Sequence, residues 1–141
     1  MKYPVSNEFI IDSCRIGDKD VIEDIILIGY DFNFVDRNSK SSLHLLTFFS
    51  HTKSLIKILK SPNLNINITD KEGCSALFIV SFKNNVKIMK MLLEVKADPN
   101  LSSSDDQTPL SIACANGNVD AILALTDRED LKHMYRIEHH P

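Results

Sequence analysis

The side chains best suited to chemistry in this sequence are five histidines, three cysteines and one pair of adjacent aspartates. They are His44, His51, His133, His139, His140, Cys14, Cys74, Cys114, Asp105 and Asp106. No histidine lies with a cysteine or a carboxylate at the spacing of a zinc site. Neighbouring aspartates in a polar loop are more typical of a hydrogen-bonded turn than of an acid–base pair. The sequence therefore predicts no metal site and no catalytic residues.

Phosphate binding and nucleophilic catalysis lack candidate residues as well. The four glycines never cluster into a loop that could cradle a phosphate. No serine, cysteine or aspartate lies in a recognisable nucleophile motif. We therefore expect a chain that is not an enzyme and that has no cofactor and no small-molecule substrate.

Composition narrows the remaining classes of function. The 141 residues fit one domain, and 43% of them are hydrophobic, which is enough for a core. A formal net charge of −3 disfavours binding to nucleic acid or to an anionic membrane. No apolar run reaches the roughly 20 residues of a membrane helix, and residues 1–4 lack the apolar core of a signal peptide. Three cysteines without a tight spacing predict a reducing compartment. We expect the cytoplasm, with the nucleus as an alternative, or a host cytosol if the source is a parasite or virus.

The sequence contains an internal repeat, which a search for single motifs would miss. This repeat sets the order of the predicted helices and turns. Three kinds of anchor residue recur at intervals of 34 and then 33 residues. They are the asparagines Asn33, Asn67 and Asn100, the hydroxyl residues Ser41, Ser75 and Thr108, and the leucines Leu43, Leu77 and Leu110. A register kept through three copies predicts one structural unit used repeatedly.

The clearest unit is the segment 70–100. It gives a turn at 70–73, a short apolar helix over Ala76–Lys83, a polar turn at Asn84-Asn85, a longer helix over 86–95 and a closing turn at 97–100. Upstream, the segments 8–15 and Lys19–Ile28 predict another helix pair without a leading hairpin. Its many charged residues suit the end of a stack, where one face contacts water.

Several short motifs occur at matching places in these units. They are Thr108-Pro109-Leu110 with Ala113 and Asn116-Gly117, Leu43-His44-Leu45, Asp70 with Gly73, Leu92-Leu93 with residues 97–100, and Gly29 with Asp31 and Asn33. Through these motifs the chain resembles the ankyrin repeat family. The resemblance covers roughly residues 8–126. It departs from the family pattern in three ways: no repeat keeps the whole Thr-Pro-Leu-His run, Ser39 and Asp106 replace the hairpin glycine, and residues 61–65 contain one extra residue.

The resemblance implies an all-α solenoid of about four stacked helix-turn-helix repeats with short β-hairpin loops. Residues 1–141 would form a single domain. Its units would be an N-terminal capping repeat at 8–33, repeats at 36–67 and 70–100, a C-terminal repeat at 103–126, and a tail at 127–141.

The helix periodicity predicts which side chains fill the core. The expected core residues are Ile10, Ile22, Ile25, Ile26, Leu43, Leu45, Leu46, Leu55, Ile58, Leu59, Leu77, Ile79, Val80, Ile88, Met91, Leu92, Leu93, Leu110, Ile112, Ala113, Ile122 and Leu125. The resemblance places Cys14 and Cys114 at small buried positions and Cys74 near a hairpin tip, where its thiol could be exposed. It also implies that His44 hydrogen-bonds to the backbone of a loop.

The resemblance also implies a concave face, onto which two residues at the end of each inner helix project. These pairs are Arg15 with Ile16, Phe48 with Phe49, Phe82 with Lys83, and Ala115 with Asn116. Phe48 and Phe82 are expected to be exposed, while exposure and core packing are equally expected for Phe49. The hairpin tips grade from basic to acidic, which would orient a partner, although simple solubilising turns are an equal alternative. The predicted partner-binding residues are Arg37, Asn38, Lys40, Phe48, Phe49, Lys71, Glu72, Phe82, Lys83, Asp105, Gln107 and Asn116.

The function expected from this surface is non-catalytic binding of another protein. Two alternatives remain open. One is a small free-standing inhibitor of a kinase or transcription factor, and the other is a targeting or adaptor segment of a larger protein.

Overall fold

The computed structural model describes residues 6–126, and in that part of the chain it contains eight α-helices and no strand. The helices are α1 (Asn7–Ile16), α2 (Lys19–Ile28), α3 (Ser42–Phe48), α4 (Thr52–Ile58), α5 (Ala76–Lys83), α6 (Val86–Glu94), α7 (Pro109–Ala115) and α8 (Val119–Thr126). Each pair is joined by a short turn, and successive pairs are joined by loops. The predicted all-α stack of helix pairs is confirmed.

The pairs pile up in the order of the sequence. The first helices of the pairs, here called the inner helices, form one row in which α1 contacts α3, α3 contacts α5 and α5 contacts α7. Among the second, outer helices, α2 contacts α4 and α6 contacts α8. Each inner helix also contacts the outer helix of its own pair. In residues 6–126, the main helix contacts therefore lie within a pair or between successive pairs, as in a solenoid.

The hydroxyl anchors of the repeat begin the last three inner helices. The Oγ of Ser41 accepts a hydrogen bond from the backbone N–H of His44, and Ser75 and Thr108 do the same for the residue three positions on. These bonds satisfy N–H groups that have no partner inside the helix. The recurrence of Ser or Thr in the sequence is thus explained by helix capping.

The asparagine anchors join one repeat to the next. The Asn33 side chain donates to the carbonyl oxygen of Asn63 at 2.7 Å and accepts from the N–H of Asn65 at 2.7 Å. The Oδ1 of Asn67 accepts from the N–H of Asp98 at 2.8 Å. These bonds cross from the end of one repeat to the end of the next. They therefore fix the spacing of neighbouring repeats.

Three hairpin turns lie in the loops before α3, α5 and α7, as the sequence predicts. In each, the N–H of the first residue donates to the carbonyl of the fifth, at 2.9 Å for Asp36 to Lys40, 2.9 Å for Asp70 to Cys74 and 2.7 Å for Ser103 to Gln107. The fourth residue of each turn has a positive φ: 59° at Ser39, 76° at Gly73 and 58° at Asp106. Only Gly73 adopts this backbone conformation without steric strain.

Changing Ser39 and Asp106 to glycine is therefore expected to stabilise the fold. Each substitution removes a left-handed conformation of a residue with a Cβ, which is unfavourable by about 1 kcal/mol. The check is urea unfolding of Ser39→Gly, of Asp106→Gly and of the double variant, followed by circular dichroism. Lys71→Gly is the control, because Lys71 is exposed and its φ is not positive. That change should destabilise the protein slightly. A loss of stability in both test variants would contradict the strain argument.

Most of the predicted core is buried. The fully or almost fully buried members of the predicted set are Ile10, Ile22, Ile25, Leu43, Leu45, Leu46, Leu55, Ile58, Leu77, Val80, Ile88, Leu92 and Ala113. Ile26, Leu59, Met91, Leu93, Ile122 and Leu125 are partly buried against them. Met89, which the helix periodicity did not select for the core, is completely buried.

Two predicted core residues are wrong, and both belong to α7. Leu110 is 39% exposed and Cys114 is exposed, whereas their counterparts Leu77 and Ser81 in the preceding repeat are buried. The side chains of α5 are covered by α7, but no helix among residues 6–126 covers the far face of α7. Burial at these positions depends on the next repeat and not on the residue type.

Candidate functional site

Among residues 6–126, no group of three His, Cys, Asp or Glu side chains is placed to hold a metal ion. Of the described helices, none has the length and hydrophobicity needed to cross a membrane. His133, His139, His140 and the tail at 127–141 lie outside the described residues.

His44 has a structural role, as the resemblance implied. Its Nδ1 accepts from the N–H of Ser41 at 3.1 Å, which leaves Nε2 as the donor to the carbonyl of Cys74 at 2.8 Å. Burial lowers the pKa of His44, and the hydrogen bond to Cys74 opposes that shift only in part. With both ring nitrogens occupied, the neutral imidazole connects α3 to the second hairpin.

The buried and half-buried thiols are not activated. Burial raises the pKa of Cys14 to about 11, so this thiol is protonated at neutral pH. Burial also raises the pKa of the half-buried Cys74, and the nearby carboxylate of Asp70 raises it further. Neither side chain has the electropositive surroundings that a reactive thiolate needs.

A row of exposed apolar side chains lies at the ends of the inner helices. Phe48 is 49% exposed, Phe82 is 60% exposed and Phe49 is 43% exposed, and Ile16 at the end of α1 is also exposed. We call Ile16, Phe48, Phe49 and Phe82, together with Lys83, the aromatic row. The Phe48 and Phe49 rings meet edge to face with centroids 5.0 Å apart, and Phe49 lies 6.0 Å from the His51 ring. The Phe49 side chain is therefore partly exposed to solvent and partly packed against Phe48 and His51.

Lys83 joins two repeats within the aromatic row. Its Nζ donates to the carbonyl oxygen of Phe48 and lies 4.1 Å from the centroid of the Phe48 ring. This geometry is a cation–π contact at an exposed site, worth about 0.5–1 kcal/mol. It places a positive charge beside the exposed aromatic surface.

The hairpin tips form a second continuous edge. The N–H of Lys71 donates to the carbonyl of Asn38 at 3.2 Å, and the N–H of Ser104 donates to the carbonyl of Glu72 at 2.9 Å. The predicted tip residues Arg37, Asn38, Lys71, Glu72 and Asp105 are all exposed on this edge. Asn116, predicted for the groove, is exposed where α7 ends.

Besides Lys83, two of the predicted site residues use their side chains in contacts within the chain. Lys40 pairs its Nζ with the Oδ2 of Asp70 in the next hairpin, and Gln107 accepts a hydrogen bond from the Oγ of Ser111 at 3.1 Å. The Lys40 contact could not be inferred locally, because its partner is 30 residues away.

Asp70 is the most connected side chain of the hairpin edge. Its Oδ1 accepts from the N–H groups of Glu72 and Cys74, both at 2.9 Å, while Oδ2 contacts Lys40. Burial alone would raise the pKa of Asp70, but the hydrogen bonds from Lys40 and from the backbone outweigh it and hold the pKa below its ordinary value. The buried carboxylate is thus ionised and links two hairpins.

Comparisons with known proteins agree with this architecture. A family model described as ankyrin repeats in three copies matches residues 10–103 and residues 43–135. The NF-kappa-B p105 subunit of Rattus norvegicus is 33% identical over 84 residues, which are 58% of this chain and 9% of that protein. A putative ankyrin repeat protein of Borreliella burgdorferi is 26% identical over 125 residues, which are 89% of this chain and 56% of that protein.

The relatives are thus longer proteins, of which this chain spans about a tenth in the p105 subunits and just over half in the Borreliella protein. Ankyrin repeats are generally non-catalytic modules that bind other proteins. Since the family match takes in nearly the whole run of stacked helix pairs, the chain belongs to the ankyrin repeat family.

Proposed function

We propose that this chain is a non-catalytic module that binds a partner protein through a concave groove centred on the aromatic row. The observation that supports it is the exposure of three phenylalanines at the ends of two adjacent inner helices. Large apolar side chains grouped on a surface often mark an interface, and aromatic residues are enriched among those that dominate binding energy. Lys83 and Asn116 would contribute polar contacts at the border of this surface.

The hairpin edge would orient the partner. Its tips carry Arg37 in the first hairpin, Lys71 and Glu72 in the second, and Asp105 in the third. A partner with the opposite gradient would be steered into register, which affects the association rate more than the affinity. The same proposal places the chain in the cytoplasm or nucleus, where its free thiols would stay reduced.

Alanine at both Phe48 and Phe82 is expected to weaken partner binding by about thirtyfold, which corresponds to about 2 kcal/mol. Both rings are substantially exposed, so the helical content measured by circular dichroism should stay unchanged. Affinity purification from the native cell with mass spectrometry identifies the partner, and calorimetric titration of that partner gives the affinity.

The matched control is the double variant Leu27→Ala and Ile56→Ala. It also removes two exposed apolar side chains, but from the outer helices α2 and α4. This control should bind as the unchanged protein does. Full affinity in the phenylalanine variant, or an equal loss in the control, would overturn the groove as the binding surface.

A second candidate function is that of a targeting or adaptor segment within a larger protein. The small share of the p105 subunits that the chain spans favours it. An immunoblot with an antibody against this segment gives the size of the endogenous protein. That size distinguishes a segment of a larger protein from a free-standing regulatory inhibitor. A band near the calculated 15.9 kDa with one stoichiometric partner would support the inhibitor.

A further inference from the structure

Among residues 6–126, the first hairpin lacks the backbone pairing with a preceding hairpin that the other two hairpins make. At the second hairpin the N–H of Lys71 donates to a carbonyl of the preceding hairpin, and at the third the N–H of Ser104 does the same. The equivalent donor at the first hairpin is the N–H of Arg37. Within residues 6–126 no acceptor bonds to it, because no hairpin precedes it there. Among these residues, the N–H of Arg37 is thus a backbone donor without a bonded acceptor.

In the described part of the chain, a second contact is missing at the same edge. Asp70 in the second hairpin receives Lys40 from the preceding hairpin on its Oδ2. Asp36 holds the equivalent position, and its Oδ1 accepts from the N–H groups of Asn38 and Lys40 in the same way. Among the described residues, however, its Oδ2 has only the Arg15 guanidinium, at 4.0 Å. The place that a lysine of a preceding hairpin would take is only loosely filled.

These two groups border a cleft of about 590 Å³ between α1 and the first hairpin. The apolar side chains of Ile11 and Phe34 contribute to its wall, and its charged residues are the carboxylates of Glu8, Asp12 and Asp36 and the guanidinium groups of Arg15 and Arg37. Arg15 is paired with Asp12 at 2.7 Å. Three negative charges against two positive ones favour a cationic group in the cleft.

We propose that this cleft binds a turn segment of a partner protein that carries a lysine or arginine. A backbone carbonyl of the turn accepts from the N–H of Arg37, its cationic side chain pairs with the Oδ2 of Asp36, and an apolar neighbour packs on Phe34. The bound turn repeats the contacts that the first hairpin makes with the second, and so extends the stack by one unit. This site does not depend on the aromatic row.

The test uses a head-to-tail cyclised peptide with the sequence of residues 35–41, since that turn makes the equivalent contacts with the second hairpin. The peptide is titrated into the full chain labelled with ¹⁵N, and amide shifts are followed by NMR. We expect saturable shifts at Arg37 and Asn38. The same peptide with Lys40→Met should bind about fivefold more weakly, which is the upper range for a partly exposed ion pair.

The variant Asp36→Asn of the protein keeps an oxygen for the backbone bonds of the hairpin and removes the charge. It should bind the unchanged peptide about fivefold more weakly and should no longer distinguish it from the Lys40→Met peptide. The variant with alanine at Phe48 and Phe82 should bind the peptide as the unchanged protein does. The proposal for the groove and the proposal for this cleft can therefore fail independently of each other.

Three results would overturn the proposal. The first is that the amides of the first hairpin show no saturable shift on titration with the peptide. This result counts against the proposal whether the cleft is empty or is filled by another part of the chain. The second is equal affinity for the two peptides. The third is a concentration-dependent shift at Arg37 without peptide, which would assign the edge to a second copy of this chain.

Discussion

Replacing Leu77 with alanine is expected to lower the free energy of unfolding by about 3 kcal/mol, within the range for buried leucines. Leu77 is 1% exposed in α5, the inner helix that lies between α3 and α7. Its truncation removes apolar contacts and leaves a cavity that rigid neighbouring helices fill only in part. Urea unfolding monitored by circular dichroism gives the value.

The matched control for Leu77→Ala is Leu110→Ala. Leu110 holds the same position of the repeat one unit later, but it is 39% exposed. The expected loss is below about 1 kcal/mol, because much of the side chain already contacts water. Equal losses in the two variants would contradict the view that neighbouring repeats, and not the position within a repeat, provide the burial.

Replacing Asp70 with alanine is expected to destabilise the protein by a comparable amount, about 3 kcal/mol. The change leaves the Lys40 ammonium without its partner and removes the acceptor of two backbone N–H groups in the second hairpin. Unsatisfied polar groups at a buried site cost more than the net value of the bonds they lose. The same urea experiment measures the effect.

Two further variants separate the contributions of Asp70. Asp70→Asn keeps an oxygen for the backbone bonds but loses the ion pair, so its loss should be intermediate. Asp105→Ala removes an exposed carboxylate from the third hairpin and should change stability by less than about 0.5 kcal/mol. If Asp70→Ala were no more damaging than Asp105→Ala, the hairpin edge would not contribute to stacking as described.

The sequence predicts the architecture well because each kind of anchor residue performs a task that requires a particular residue type. Ser41, Ser75 and Thr108 cap helices that start next to them, so their spacing measures the spacing of the inner helices. Asn33 and Asn67 bond to the following repeat, so their spacing measures the distance between repeats. Both tasks require a particular residue type and therefore leave a pattern in the sequence.

Burial at the last described repeat could not be predicted in the same way. Leu110 and Cys114 have the residue types of core positions, but their exposure is decided by what lies beyond α7. Met89 and Met91 illustrate a different difficulty. Both fit an apolar helix, and only the direction of the neighbouring helices decides that Met89 is the fully buried one.

For the candidate site, sequence reasoning located the exposed residues better than their partners. Phe48 and Phe82 are exposed as expected, at 49% and 60%. The contacts of Lys83 with Phe48 and of Lys40 with Asp70 join residues 30 or more positions apart, so only the packed structure reveals them. That the twelve predicted residues bind a partner stays a prediction.

The most direct test of the central claim is an NMR map of the bound partner on the ¹⁵N-labelled chain. Binding through the groove predicts that the largest amide shifts fall on Phe48, Phe49, Phe82 and Lys83, with smaller shifts along the hairpin tips. The outer helices α4 and α6 should change little. Large shifts confined to α4 and α6, with the inner-helix ends unchanged, would show that the partner binds the opposite face and would contradict the account.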